Sequence, residues 1–395
     1  MFRHEYKTYR WGILRFSGIG TTGAVGTPPI TASLVGILKN RRAFVRNYHH
    51  DNSIRTKRDN TGSGFLRLRV SPWGLLATAG VVACVATVFG FLGRFSWFLD
   101  LFSHFRVQYL LGLGTLGLIL LVFKHHRTGI VFLVFAAINL GVILPLYFFG
   151  EGQAAPAGNA LRAILLNVNT RLGDPERVKK VIQELDPDFV VLEEISARWV
   201  NDLQWLAMSH PHSRLQPRED NFGIGLFSKL PLVEADIVYI GDAGVPSVIA
   251  KIETRDGPLA VVATHPLPPG GASYSRWRND QLERLPEYIP SSLAVILIGD
   301  LNVTPWNHYF RRLLERTGLK NSSQGRGVQP TWPNYNPLLL IPIDHCLHSS
   351  DILVLSKEIG PDVGSDHYPV IVDFVVKPDG QKNGAKRQAT GSFRK

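Results

Sequence analysis

The sequence predicts an α/β fold of packed sheets with helices outside, set behind three transmembrane helices, and three observations lead there. Three stretches within 80 residues carry no charged side chain. Short apolar runs of strand length recur through the second half, some joined by turns and others by helical segments. Polar residues sit at the ends of those runs with a regularity that turn chemistry alone does not supply.

Residues 1–70 hold 13 Lys and Arg against the three acids Glu5, Asp51 and Asp59, and show no apolar periodicity. A disordered cytoplasmic tail is the favoured reading, ahead of an extension translated from an upstream start and an organelle transit peptide. The uncharged stretches follow at Pro72 to Leu92, Val107 to Phe123 and Gly129 to Phe149, of 21, 17 and 21 residues. A bilayer span needs about 17–25 residues, so residues 71–149 read as a three-helix membrane anchor. The basic segment ahead of the first span is expected to stay in the cytoplasm, and three crossings then put everything after Phe149 on the periplasmic or extracellular side. No cleavable secretory signal is expected, because the first apolar run is long enough to anchor. Cys84 and Cys346 are the only cysteines, which excludes a disulfide framework within one chain.

Residues 150–160, GEGQAAPAGNA, read as a flexible linker, and residues 377–395 as a disordered basic tail. Between them, strand-like runs occur at Ala163 to Val168, Phe189 to Leu192, Gly223 to Phe227, Val248 to Ile252, Leu259 to Ala263, Ala294 to Ile298, Ile352 to Leu355 and Val370 to Val376. Helices are expected at Pro175 to Leu185, Ala197 to Met208, Ser275 to Tyr288 and Trp306 to Arg316. Asp174-Pro175 is a cap followed by proline at the first helical position. The runs flanking Arg255-Asp256-Gly257 form a hairpin. Hairpins mixed with helical connections favour packed sheets over a purely parallel doubly wound fold.

The polar strand ends are LLNVN with Asn167 and Asn169, FVVLEE with Glu193 and Glu194, VVATH with His265, LIGDLN with Asp300 and Asn302, PID with Asp344, and GSDH with Ser365, Asp366 and His367. Each alone has a plain structural explanation as a turn or cap residue. In this order, GDLN and SDH above all, they resemble the endonuclease/exonuclease/phosphatase superfamily, the metal-dependent phosphoesterases with the fold of deoxyribonuclease I. The resemblance spans Leu161 to Val376. It implies a four-layered α/β/β/α sandwich of two mostly antiparallel sheets over residues 161–376, in agreement with the hairpins.

The resemblance also implies roles. Glu194 stands where the family places its Mg²⁺ carboxylate, with Asn167 assisting at the metal or phosphate and Asp366 near the metal, directly or through water. Mn²⁺ is expected to substitute. His367 resembles the histidine acting as base or stabilising the phosphorane, oriented by Asp344. Asp300 would orient or deprotonate the attacking water, Asn302 would hold a nonbridging phosphate oxygen, and His265 would protonate the leaving oxygen. Two positions depart from the pattern: Glu193 replaces a usual Gln, and Asn169 stands where some members carry Asp. Asp188, His210, His345 and His348 read as structural.

The expected reaction is in-line hydrolysis of a phosphodiester, with nucleic acid and phospholipid both open as substrate and no protein partner inferable. Residues 150–376 hold 20 basic and 27 acidic side chains, which disfavours tight duplex binding and leaves Arg276-Trp277-Arg278 as a local basic patch. Attachment to a membrane modestly favours a lipid. A catalytically inactive, membrane-tethered phosphate-binding module is the alternative, and a transporter built on the spans lacks charged residues to line a path.

Overall fold

The computed structural model describes residues 71–148, 150 and 159–377. The basic segment 1–70, most of the 150–160 linker and all but the first residue of the 377–395 tail lie outside the described residues. Helix α1 (Pro72–Phe91) starts where Ser71 accepts a hydrogen bond from the Gly74 amide and Pro72 takes the first helical position. The short α2 (Trp97–Leu101) follows, then α3 (Arg106–Val122) and α4 (His126–Ile143), which a 3₁₀ turn extends through Leu144–Tyr147. Among the described residues, two helices, Pro72–Phe91 and His126–Tyr147, are long and apolar enough to cross a membrane by themselves, rather than the expected three. The middle helix is apolar but has only 17 residues. It packs along α4, with Leu113 and Leu120 against Phe132 and Ala136. A Cβ on Gly117 would stand 3.0 Å from the Gly129 carbonyl oxygen, so this contact requires glycine. Arg106, just ahead of the second uncharged stretch, is the first residue of α3 and is buried, donating to Thr87 O (2.9 Å) and Asn139 Oδ1 (3.3 Å).

Beyond these helices the chain alternates β1 (Ala160–Asn167), α5 (Pro175–Leu185), β2 (Phe189–Glu193), α6 (Ala197–Asp202), α7 (Leu206–Ser209), β3 (His212–Gln216), β4 (Ile224–Ser228), β5 (Leu232–Tyr239), β6 (Pro246–Thr254) and β7 (Gly257–Thr264). It continues through α8 (Ala272–Arg284), β8 (Ala294–Asp300), α9 (His308–Thr317), β9 (Lys320–Asn321), β10 (Asp344–His348), β11 (Ile352–Ile359) and β12 (Val370–Val376). Two six-stranded sheets result, ordered β11-β12-β1-β2-β4-β3 and β5-β6-β7-β8-β10-β9. Only β1–β2 and β7–β8 run parallel, each joined by a crossover containing α5 or α8, and the other pairs are antiparallel.

Three apolar clusters make four layers. Leu165, Val191, Leu226, Val261, Ile296 and Phe374 fill the space between the sheets. Val178, Ile182 and Trp199 cover the outer face of the first sheet, and Leu282, Phe310 and Leu313 that of the second. The four-layered sandwich expected over residues 161–376 is therefore the observed architecture. The helix expected from Ala197 to Met208 is broken into α6 and α7, and Pro286 turns the end of the next one into a 3₁₀ turn, Leu285–Tyr288.

Candidate active site

Strand register brings the polar strand ends together. Asp300 is the last residue of β8 and lies opposite Asp344, the first residue of the antiparallel β10. Both therefore leave the sheet on one face. His265 follows the end of β7, which runs parallel beside β8 with Ala263 opposite Ile298. In the other sheet Asn167 lies opposite Glu193 across the parallel β1–β2 pair. Because β12 is antiparallel to β1 and begins opposite Leu165, the Ser365–His367 loop arrives at that same end. Ser365 Oγ ties it down by donating to the Asn167 carbonyl at 2.7 Å.

On the second sheet, His367 Nδ1 meets Asp344 Oδ2 at 2.9 Å, with both side chains buried. Its Nε2 stands 3.8 Å from Asp300 Oδ2, and His265 Nε2 approaches the same oxygen at 3.6 Å. Asp300 Oδ1 accepts from the Asn302 amide at 2.8 Å. Asn302 Nδ2 donates one proton to Pro266 O at 2.9 Å, which leaves its second N–H. On the first sheet, Glu194 lies one residue past β2, where Asn167 Nδ2 donates to its Oε1 (3.1 Å) and the Thr170 amide to its Oε2 (3.4 Å). Glu194, Asn302 and Asn169 have φ of 61°, 52° and 49°. Asn tolerates this left-handed region, whereas Glu does so at a cost of about 1–2 kcal/mol, strain of the kind that collects at functional sites.

The charges are strongly coupled. Burial opposes the charge on His367, but Asp344 beside it, with Asp300 and Asp366, outweighs that effect and pushes the imidazole up to about 10. Burial opposes His265 too, while Asp300 and the two glutamates raise it to about 9. Asp344 is raised by burial, yet the charge and hydrogen bond of His367 win and hold it below the ordinary carboxylate range. Glu193 is pushed up to about 8, mainly by burial, and Glu194 is raised by the same cause, with His265 and Asn167 opposing.

All the candidate residues thus converge at one end of the sandwich, with their parts altered in places. Asp366 accepts one bond on each carboxylate oxygen, from Asn169 Nδ2 (2.7 Å) and Trp332 Nε1 (2.9 Å), which fixes its orientation and leaves a lone pair on each oxygen. Asn169 acts on Asp366. Glu193 turns away from Glu194 and accepts from the Asp300 amide at 3.0 Å, bracing the two sheets. Ligand atoms of Asp300, Asp344 and His367 lie within 4.8 Å of one another, a second place where a cation could be held. The basic patch Arg276-Trp277-Arg278 does not exist as a patch, because Arg278 is fully buried. Asp188 accepts from the Arg162 amide, and His210 and His345 bond to main-chain carbonyls of Pro187 and Val303, all structural as expected. Thr170 and Trp332, which grip Glu194 and Asp366, carry no periodic or motif signal in the sequence.

A model of the Endonuclease/Exonuclease/phosphatase family matches residues 164–367. No curated protein matches the sequence. Among solved structures, an endonuclease/exonuclease/phosphatase from Beutenbergia cavernae is 20% identical with a TM-score of 0.46, over 55% of this chain and 72% of that one. D. rerio TDP2 complexed with single-strand DNA product is 19% identical with a TM-score of 0.46, over 55% and 99% of the two chains. The beta toxin from Staphylococcus aureus is 17% identical with a TM-score of 0.41, over 54% and 99%.

Proposed function

The chain belongs to the endonuclease/exonuclease/phosphatase family, and from that premise we propose that it is a membrane-anchored, divalent-metal-dependent phosphoesterase that hydrolyses a phosphodiester by in-line attack of water. The observation that carries this reading is the facing of two groups across the sheet ends: the Asp344–His367 pair with Asp300 and His265 on one side, and Glu194 with Asn167 on the other.

The residues around Glu194 fit a hard cation. Its carboxylate is nearly buried, burial disfavours its charge, and the adjoining donor is an amide. A cation relieves that cost, and oxygen ligands suit Mg²⁺, or Mn²⁺ in its place, better than the His-containing set at Asp300, Asp344 and His367. When bound, the metal supplies Lewis-acid polarisation of a phosphoryl oxygen. Asp300 Oδ2, lying between two imidazoles, orients the attacking water and accepts its proton. The remaining N–H of Asn302 holds a nonbridging oxygen. Protonated His367, kept in place by Asp344, stabilises charge developing on the phosphoryl group. Protonated His265 gives its proton to the leaving oxygen as the P–O bond breaks.

Membrane attachment is supported by the surface of the helices. Only 22% and 33% of the residues in the apolar windows of α1 and α4 are buried inside the molecule, and Leu75, Val82, Leu111, Leu118, Val122 and Ile130 point outward. A helix from the core of a water-soluble protein buries such residues. Because α3 packs along α4, the reading has the two cross together, placing the catalytic domain on the periplasmic or extracellular side. The acidic balance of residues 150–376 and the burial of Arg278 tilt the substrate towards a lipid or small phosphodiester over duplex nucleic acid. The full chain in detergent should be assayed with Mg²⁺ against phospholipid vesicles, plasmid DNA, single-stranded RNA and an aryl phosphodiester. Turnover of at least one, abolished by chelation, is expected. Inertness towards all four with phosphate binding retained would favour the inactive-module reading, and rapid plasmid nicking without action on lipid would reverse the substrate preference.

A further inference from the structure

The connection between α1 and α3 does not hang free. It folds back onto the catalytic domain, where Asp100 is buried and spends both carboxylate oxygens: Oδ2 accepts from Arg278 Nη2 at 2.5 Å and Oδ1 from Asn307 Nδ2 at 2.6 Å. Gly93 makes room for it, since a Cβ there would stand 2.8 Å from Asp100 Oδ1. Arg278 passes the contact on, its Nη1 donating to the main-chain carbonyl of Asn302 at 3.1 Å. The Leu301–Asn307 loop, which carries Asn302, meets the helical segment at three more points. His104 Nδ1 meets Thr304 Oγ1 at 3.3 Å, Ser103 Oγ accepts from Asn307 Nδ2 at 3.2 Å, and Trp306 packs on Ile143 and Leu146 at the end of α4.

A buried ion pair is a poor way to glue two surfaces, because desolvating both charges consumes most of what their attraction returns. What it supplies is geometry. The guanidinium is a rigid fork, and here its prongs join the anchor to the residue assigned to the phosphate oxygen. Asn302 sits at positive φ, so its position depends on what holds it from outside. We propose that the Gly93–Phe105 connection of the anchor is a working part of the active site, in which Asp100, acting through Arg278, positions Asn302 against the phosphate. Asp100 and Arg278 are positioning residues. The proposal rests on the phosphoesterase reading for the meaning of Asn302, but the clamp itself does not.

The test uses the full chain and a double-mutant cycle. Asp100→Asn keeps the shape and removes the charge, and should lower kcat about ten- to a hundredfold on the best substrate of the panel, since small misplacements of binding groups cost that much. In an Asn302→Ala background the same change should cost less than about twofold, because the residue it acts through is already gone. A defect that merely reduced the folded fraction would lower both backgrounds equally, so equal losses overturn the proposal. Should Asp100→Asn fail to accumulate, Gly93→Ala, which crowds Asp100, and Arg278→Lys, which keeps the charge and loses the fork, take its place in the cycle with the same expectation. Amide hydrogen exchange gives a readout independent of turnover. Exchange over Leu301–Asn307 should quicken in Asp100→Asn while Asp344–His348 stays protected, and an unchanged loop overturns the clamp. A parent chain that hydrolyses nothing, combined with faster loop exchange in the variant, would sink the phosphoesterase reading and leave the clamp standing.

Discussion

Replacing Asp344 with Asn retains the shape of the side chain and removes the charge that His367 depends on. In the parent, His367 is held near 10 against the opposition of burial, and the largest favourable contribution comes from Asp344 at 2.9 Å. Without that carboxylate, burial pulls the imidazole back down, with Asp300 and Asp366 alone still opposing it. A raised histidine keeps its charge fully below the ordinary value and loses it as pH rises through the raised one, so at pH ~8 the parent is protonated, while the variant gives up its proton at lower pH. Loss of that charge and of the fixed tautomer should together lower the rate at that pH by about 10² to 10⁴. The assay is the initial rate on an aryl phosphodiester at saturating Mg²⁺ as a function of pH. The parent rate should fall only above about 9, where His265 gives up its proton, and the Asp344→Asn rate should begin to fall at a lower pH than the parent's. If the two alkaline limbs coincide, or the variant turns over within about threefold of the parent at pH ~8, the His367 assignment is wrong even though the fold is right.

Two further outcomes follow from the same site and its setting. Glu194→Ala removes the carboxylate assigned to the cation, so the Mg²⁺ concentration needed for half-maximal activity should rise about tenfold or more, with activity partly restored at high Mg²⁺; an unchanged Mg²⁺ titration would move the metal to Asp300, Asp344 and His367. A reporter active only in the cytoplasm, fused to the C-terminus, should be silent if all three helices cross, and robust signal would mean that α3 does not span.

Much of the fold was legible because burial and backbone period coincide. The strands that fill the space between the sheets, such as β8 and β12, are continuous apolar runs, and α5 announces itself through Asp174-Pro175 and its apolar face. The strands that escaped are of two kinds. At the sheet margins, β3 and β5 are half exposed and carry mixed side chains, and β9 is only two residues long. The buried β10 reads DHCLH, polar in sequence because its side chains serve the site and the packing of α9. The site itself was legible as motifs, since every assigned residue lies within four residues of a strand end. Asp366 was read as lying near the metal, and no local pattern shows that its oxygens accept from Asn169 and Trp332. Least legible was Asp100. A lone acid between two apolar segments carries no signal of its own, and its partners Arg278 and Asn307 lie far along the chain.

The pairing of β8 with β10 gives the active site a discrete character. Along a strand, neighbouring side chains leave on opposite faces, and here Asp344 faces Asp300 while His345 points the other way, stacked at 4.5 Å on Phe310 and bonded to Val303 O at 2.7 Å. A slip of one residue would withdraw the carboxylate from His367 and present an imidazole instead. Since β10 has too few apolar side chains to define its own alignment, the alignment is fixed from outside, by the Leu301 amide on Ile343 O, the Ser322 hydroxyl on Cys346 O and the short β9. Small distortions of the sandwich can therefore tilt the dyad but not dismantle it. A misaligned chain would have Cys346 and Leu347 exchanged between the two apolar layers and no dyad at all, so variants at Ser322 should divide the molecules into active and inactive populations rather than slow every molecule alike.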